Sequence, residues 1–196
     1  DIKNNLLGVC DQMYLFEPGD DTTVCVLKAV KPKKVKLFTG PPTHKEDDAK
    51  VVHELMNNAD IRIVSGGTTS QIVARELGVE VKSSTEIYDK EVPPIAYIQG
   101  VDLVTEGVLT LSKTIDRLKS LSKSLDSDIF KAKDGASQMA KLLYSASHIK
   151  LLVGRSLNIA NAESSFQRDL ELRLHVVGEL EKILVKLGKI VTVEYY

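Results

Sequence analysis

Apolar and polar positions along this chain recur with the periods of short strands and amphipathic helices. Continuous apolar runs at Val35 to Phe38, Ile61 to Val64 and Ile149 to Val153 predict buried strands, and Lys189 to Tyr195 alternates like a closing strand. Elsewhere apolar residues return every three or four positions, which predicts helices. The predicted helices span 45–57, 71–77, 108–125, 134–146 and 169–187.

Two further segments predict weaker strands, and the order of elements then indicates a fold class. Val79 to Val81 predicts a third strand, and Pro93 to Ile98 predicts a fourth strand or an extended connector. Strands that alternate with helices need crossover connections, which favour a mainly parallel sheet covered on both faces. We therefore expect an α/β protein with a Rossmann-like layered domain at 35–196.

The first 30 residues follow a different pattern. Leu6, Leu7, Cys10 and Met13 have helical spacing, and the acidic segment 20–23 leads into a strand predicted at Val24 to Leu27. We expect Cys25, within that strand, to be a buried and reduced thiol. So short a segment cannot bury a core alone, so it belongs to a larger domain or packs on the following one. Residues 31–34, basic and with a proline, predict a linker.

The sequence Gly19-Asp20-Asp21-Thr22-Thr23-Val24 carries a resemblance to a known family. It resembles the C-terminal end of metal-dependent serine/threonine phosphatases of the sporulation stage II E type, which close with a helix, an acidic loop and a strand. The resemblance implies that Asp20 is a ligand of the catalytic Mg²⁺ or Mn²⁺, cations that favour carboxylate oxygens. The alternative is a plain turn before a strand, where Gly-Asp-Asp is common.

The remainder of the chain resembles the domain appended to the C-terminus of such phosphatases, in its order of segments, its Gly-Gly-Thr-Thr loop and its Tyr-Tyr ending. The resemblance implies that 1–30 is the end of a phosphatase domain and 35–196 a regulatory domain. The other metal ligands would lie in a missing N-terminal phosphatase core, which would be a partner of this chain. The parent enzyme would act on a phosphoprotein. We therefore expect this chain alone to be catalytically incomplete and to hold no cofactor.

Charge and composition limit the partners. The chain has 26 basic and 27 acidic residues and a net charge of −1, so no basic excess favours nucleic acid. No apolar run approaches the roughly 20 residues of a membrane span, and no charged-then-apolar leader favours secretion. We expect a cytoplasmic protein.

Four segments follow predicted strands, and ligands of open parallel sheets bind at that edge. They are 39–42, 65–70, 99–106 and 154–156. The strongest candidate is Ser65 to Ser70, because Gly66 and Gly67 let the backbone approach an anion while Thr68, Thr69, Ser70 and a helix start supply donors. We expect a small anionic ligand, phosphate or carboxylate. The alternative is that a hydroxyl simply caps the helix.

Three charged residues are candidates for the same site. Arg155 follows a predicted strand and would clamp a phosphate or carboxylate in a bidentate fork; the alternative is a surface salt bridge. Asp102 and Glu106, four positions apart before a predicted helix, would flank a metal, a ribose or a reacting group. The alternative is that they only complement the helix dipole.

The sequence leaves the organisation of 35–196 and its exact role open. The segment 118–134 would join two sub-lobes, 35–118 and 135–196, or the two parts would share a single sheet, which we favour. The favoured function is a small-anion sensor that regulates the phosphatase. The rivals are an enzyme acting on a phosphorylated small molecule, with Asp102 or Glu106 as acid or base, and an interaction or dimerisation domain that would form a homodimer.

Overall fold

The structure is a computed structural model that describes residues 2–17, 19–27, 29, 31–121, 128–156 and 163–196. The chain divides into two compact units, Asp1–Lys31 and Pro32–Tyr196.

The first unit contains one helix, α1 (Ile2–Met13), which buries none of its residues. After it, Leu15 and Phe16 have positive φ angles of 52° and 62°. The strand predicted at Val24 to Leu27 is wrong: this segment has no strand, and Cys25 is exposed rather than buried. A strand needs a neighbour to complete its hydrogen bonds, and the described residues of this unit contain no second strand.

The second unit is built on one seven-stranded sheet. Its strands are β1 (Lys34–Thr39), β2 (Ile61–Ser65), β3 (Lys82–Ser83), β4 (Ala96–Tyr97), β5 (Leu103–Thr105), β6 (His148–Val153) and β7 (Ile190–Tyr195). The spatial order is β3-β4-β5-β2-β1-β6-β7. The five strands from β5 to β7 are parallel, while β3 and β4 form an antiparallel edge. The predicted α/β class and mainly parallel sheet are confirmed.

Helices cover the sheet on both faces, each over its own hydrophobic core. They are α2 (Asp48–Met56), α3 (Gly67–Leu77), α4 (Val108–Leu121), α5 (Gly135–Ser145) and α6 (Glu163–Lys186). Because side chains alternate along a strand, Phe38 of β1 packs with α2 and α3, whereas Leu37 packs with α4, α5 and α6. Short 3-10 helices at Lys45–Asp47 and Asp128–Phe130 complete the described elements.

Segments 35–118 and 135–196 contribute to this single sheet, since β1 pairs with β2 on one side and with β6 on the other. Strands β6 and β7 come from the second segment, and the remaining strands come from the first. The favoured alternative of one shared sheet is therefore the one that the structure has.

Several predicted boundaries differ from the structure around the sheet's second half. The segment 99–106 is not a loop throughout, because β5 occupies Leu103–Thr105, and the third strand lies at Lys82–Ser83 rather than at 79–81. Thr105 therefore ends a strand. The predicted end of α4 at 122–125 lies outside the described residues. None of the described helices is long and apolar enough to cross a membrane.

Candidate functional site

The strand order reverses at β1, since the chain proceeds from β1 outward to β2 and β5 and then returns to place β6 on the other side of β1. In open parallel sheets, ligands commonly bind at such a reversal. Here the loops that follow β1 and β6 pack against each other and close the sheet edge at this reversal. The Gly154 amide donates to the carbonyl of Thr39 at 2.9 Å, and the Ser156 amide donates to that of Pro41 at 3.0 Å. A Cβ atom on Gly154 would lie 2.1 Å from the Pro41 carbonyl oxygen.

The open pocket lies one step along the same edge, above the carboxyl ends of β1, β2 and β5. Its volume is about 150 Å³. The first turn of α3, the start of α4 at Gly107 and Val108, and the side chain of Arg173 from α6 line it. Five of the predicted ligand-binding residues are thus brought together in one pocket: Gly66, Gly67, Thr68, Thr69 and Glu106.

Helix α3 begins at Gly67, four residues before the predicted start, and this places the glycines and threonines in its first turn. Gly66 precedes the helix with φ 121° and ψ 137°, a conformation that favours glycine. Its amide donates to the Thr105 carbonyl at 2.9 Å, and its carbonyl accepts from the amide and the hydroxyl of Ser70. No side chain caps α3. Within the described chain, the amides of Gly67, Thr68 and Thr69 have no acceptor.

The hydroxyl groups around the pocket divide into two kinds. Ser65 Oγ donates to the Glu106 carbonyl at 2.8 Å, so it holds the ends of β2 and β5 together. Thr39 and Thr69 are only 2% and 1% exposed and line the pocket. Their hydroxyls make no hydrogen bond to any described residue. The capping alternative for this segment is therefore wrong: the hydroxyls do not accept from the helix amides, and the donors remain directed to the pocket.

Arg173 supplies a positive charge that the sequence reasoning missed. Its Nη1 donates to the Gly154 carbonyl at 3.2 Å, and among the described residues it has no salt bridge with a carboxylate. Burial lowers the pKa of the guanidinium, while nearby Asp169 acts in the opposite direction. Guanidinium nonetheless stays charged at neutral pH. Gly40, with φ 78°, makes room for it, because a Cβ there would lie 2.6 Å from Arg173 Nη1.

Arg155 lies at the expected edge but outside this pocket. Its amide donates to the Tyr196 carbonyl at 2.8 Å, and its guanidinium lies 5.7 Å from the centre of the Tyr195 ring. It lines a separate surface pocket with Thr43 and Lys50. The prediction that Arg155 joins the Gly-Gly-Thr-Thr segment is wrong, because the two line different pockets.

Asp102 and Glu106 do not flank a common site. Asp102 precedes β5, and its Oδ2 accepts from the Arg62 amide at 2.7 Å at the amino end of the sheet. Glu106 follows β5 at the carboxyl end and lines the pocket. Four extended residues separate them by about 13 Å. The unrecognised strand β5 is the reason that the sequence reasoning placed them together.

A second pocket of about 330 Å³ adjoins the first on the far side of the α3 start. The two share Gly67 and Glu106. Ser70, the remaining residue of the predicted anion loop, lines this second pocket together with Gln71 and the segment Pro93 to Ala96. The two pockets therefore form neighbouring compartments of one cleft.

Asp20 is exposed, and its Oδ1 accepts from the Asp21 amide at 2.8 Å. Across the described ranges, no three His, Cys, Asp or Glu side chains come together as a metal site. A single carboxylate does not hold a catalytic Mg²⁺ or Mn²⁺, so the described residues of this chain do not fit that cation. Asp20 stays a predicted ligand whose companions the described residues do not provide.

No family model, curated protein or solved structure matches the chain. Fold and geometry are therefore the basis for a functional proposal. They define an α/β protein with a donor-rich pocket at the carboxyl edge of a parallel sheet.

Proposed function

We propose that the 32–196 unit binds a small anion of the phosphate class in the pocket at the start of α3. One observation carries the proposal: the amides of Gly67, Thr68 and Thr69 and the hydroxyls of Thr39 and Thr69 have no acceptor among the described residues, and all five groups belong to residues that line one open pocket. An anion in the pocket would accept hydrogen bonds from several of these donors at once, as phosphates commonly do at the start of a helix.

The number and charge of the donors favour phosphate over a single carboxylate. A helix N-terminus carries a partial positive charge, and its free amides are directed at the ligand. Arg173, which lines the same pocket, adds a full positive charge. A tetrahedral oxyanion has enough acceptor oxygens to satisfy amides, hydroxyls and guanidinium together.

We further propose that the chain is the C-terminal part of a cytoplasmic metal-dependent phosphatase whose activity responds to this anion. The resemblance of 19–24 supports this part of the proposal. The apolar residues of α1 support it too, because Ile2, Val9 and Met13 are exposed and a helix of 12 residues is marginal without packing. The missing phosphatase core would cover them. Regulation requires that the anion bind the active and inactive states unequally.

The binding proposal is tested by thermal unfolding of the whole chain in inorganic phosphate at constant ionic strength. Phosphate at 100 times its Kd is expected to stabilise the protein by about 2.7 kcal/mol. Arg173→Ala and Gly67→Val should abolish the shift, the second because its side chain enters the pocket. A Cβ on Gly67 meets only Glu106 Oε1, at 3.9 Å, so the fold tolerates the change.

Arg155→Ala is the matched control, since it removes the same charge from the same sheet edge but outside the pocket. It should leave the phosphate-dependent shift unchanged. Equal losses in Arg155→Ala and Arg173→Ala would point to general charge attraction, and a wild type that shows no shift in phosphate would refute the proposal.

A further inference from the structure

Glu106 lies between the two compartments of the cleft. It lines both pockets, and its Oε1 is 3.9 Å from the position of a Cβ on Gly67, the first residue of α3. Its carbonyl accepts from Ser65 and Thr105, whereas its carboxylate has no hydrogen bond or salt bridge with any described residue. A negative charge without a partner therefore stands next to the proposed phosphate position.

A carboxylate in this place selects what can be attached to the bound phosphate. A second anionic group in the adjoining pocket would be repelled by this carboxylate, because that pocket, unlike the phosphate position with Arg173, has no described cation to offset the charge. A hydroxyl group would instead donate to the carboxylate, and hydrogen bonds to charged acceptors are the stronger ones. The arrangement favours a phosphate attached to a neutral group that carries hydrogen-bond donors, and it disfavours a polyphosphate.

The second pocket has the size and lining for such a neighbour. Its volume of about 330 Å³ falls within the range of ligand pockets, about 300–1,000 Å³, while the first pocket alone falls below it. Apart from Glu106, its lining is uncharged and includes Gln71, Ser83, Ser84 and Pro94. No described cation there would neutralise a second phosphate or a carboxylate. Neutral polar and apolar groups suit a hydroxylated carbon skeleton.

We propose that the cleft binds a phosphomonoester of a hydroxylated compound, such as a sugar phosphate. The phosphate lies at the start of α3, a hydroxyl donates to Glu106, and the carbon skeleton occupies the second pocket. This inference rests on the proposed function, since it identifies the class of ligand for the same phosphate position.

Isothermal titration of the whole chain tests it with inorganic phosphate, pyrophosphate, O-phosphoethanolamine and three sugar or polyol phosphates (ribose 5-phosphate, glucose 6-phosphate and glycerol 3-phosphate). At least one of these three should bind tenfold or more tightly than inorganic phosphate. Pyrophosphate should bind no more tightly than phosphate. Glu106→Ala should remove most of the tenfold gain, while inorganic phosphate should bind more tightly than to the wild type because a repelling charge beside it is gone.

Two further variants separate the compartments. Glu106→Gln, which removes the charge and keeps an acceptor oxygen, should strengthen pyrophosphate binding several-fold. Gln71→Trp, at an exposed α3 position that lines only the second pocket, should weaken the sugar phosphate and spare inorganic phosphate.

The outcomes also distinguish a failure of this inference from a failure of the phosphate-binding proposal. Failure of every ligand, inorganic phosphate included, would overturn both. Binding of phosphate with no gain for any of the three organic phosphates would overturn this inference and leave the proposed function standing. A Glu106-dependent gain greater for O-phosphoethanolamine than for the sugar phosphates would mean that the carboxylate recognises an ammonium group, which also overturns it.

Discussion

Gly66 shows how a single backbone conformation places the donors of the pocket. Its φ of 121° turns the chain from β2 into α3 so that the next three amides are directed to the pocket. A side chain at this position would be strained, and its Cβ would lie 3.0 Å from Thr69 Oγ1. The conformation is needed for the site, and only glycine adopts it at low cost.

We expect Gly66→Ala to destabilise the protein by about 1–3 kcal/mol, the usual cost of a sparsely populated backbone region. Gly178→Ala is the control. Gly178 lies inside α6 with nothing within 4 Å of a Cβ, so alanine there should stabilise by about 0.5–1 kcal/mol. Urea unfolding of both variants measures the two effects. Equal changes of the same sign would contradict the role given to the Gly66 backbone.

At the scale of the elements, α5 shows local sequence and structure in agreement. The helix was predicted over 134–146, and Asp134 caps its start: Oδ1 accepts from the Ser137 amide at 2.9 Å. Asp134→Ala should cost about 0.5–2 kcal/mol, whereas Asp134→Asn should keep most of the stability because asparagine caps about equally well. Chemical denaturation of the pair checks this. An asparagine variant as unstable as the alanine variant would assign the effect to charge instead.

An ion-pair network joins α2 to three strands on one face of the sheet. Lys36 and Lys150, neighbours on β1 and β6, both donate to Glu54 Oε1, at 2.6 and 2.8 Å, and Lys150 also pairs with Glu194 at 2.6 Å. Hydrogen bonds from Lys150 and then Lys36 lower the pKa of Glu54, and one from Lys150 lowers that of Glu194. Lys36 is 8% exposed, so it depends on Glu54.

A pH-dependent effect of Glu54→Gln follows. A carboxylate with a lowered folded-state pKa stabilises the protein above its unfolded pKa, and this stability is lost as pH falls through the folded value. Glu54→Gln should therefore cost about 1–3 kcal/mol near neutral pH, since Lys36 loses its charged partner. The difference from wild type should shrink as the pH falls below about 4.

Urea unfolding at several pH values measures this difference. Glu179→Gln, which breaks the exposed pair with Lys182, is the control and should change little. If the loss of unfolding free energy in Glu54→Gln stays constant down to low pH, the network stabilises the protein through packing and not through charge.

At the scale of the whole chain, both hydrophobic cores consist of residues from 35 onward. The fragment 32–196 should therefore unfold cooperatively in urea with the same midpoint as residues 1–196 and give the same phosphate-dependent shift. Circular dichroism during urea titration compares the two directly. A clearly lower midpoint for the fragment would mean that the second unit needs residues 1–31.

The sequence predicted well where one residue's local neighbours decide the structure. Long apolar runs gave β1, β2 and β6, and Asp134 before an amphipathic segment gave the start of α5. It failed at β5, whose three residues are too few to show a period, and at the start of α3, where a Gly-Thr-rich run reads as a loop. The first of these errors placed Asp102 beside Glu106.

Local pattern alone was enough for the α/β class, the mainly parallel sheet and the Gly-Gly-Thr-Thr segment as the centre of interest, because each depends on residues close together in the chain. The tertiary structure placed Arg173 in the same pocket as that segment and Arg155 in another pocket. It also closed the sheet edge at the strand-order reversal by packing the loops after β1 and β6 together. Those placements depend on strand order and on contacts between residues more than a hundred positions apart, and no local period records them.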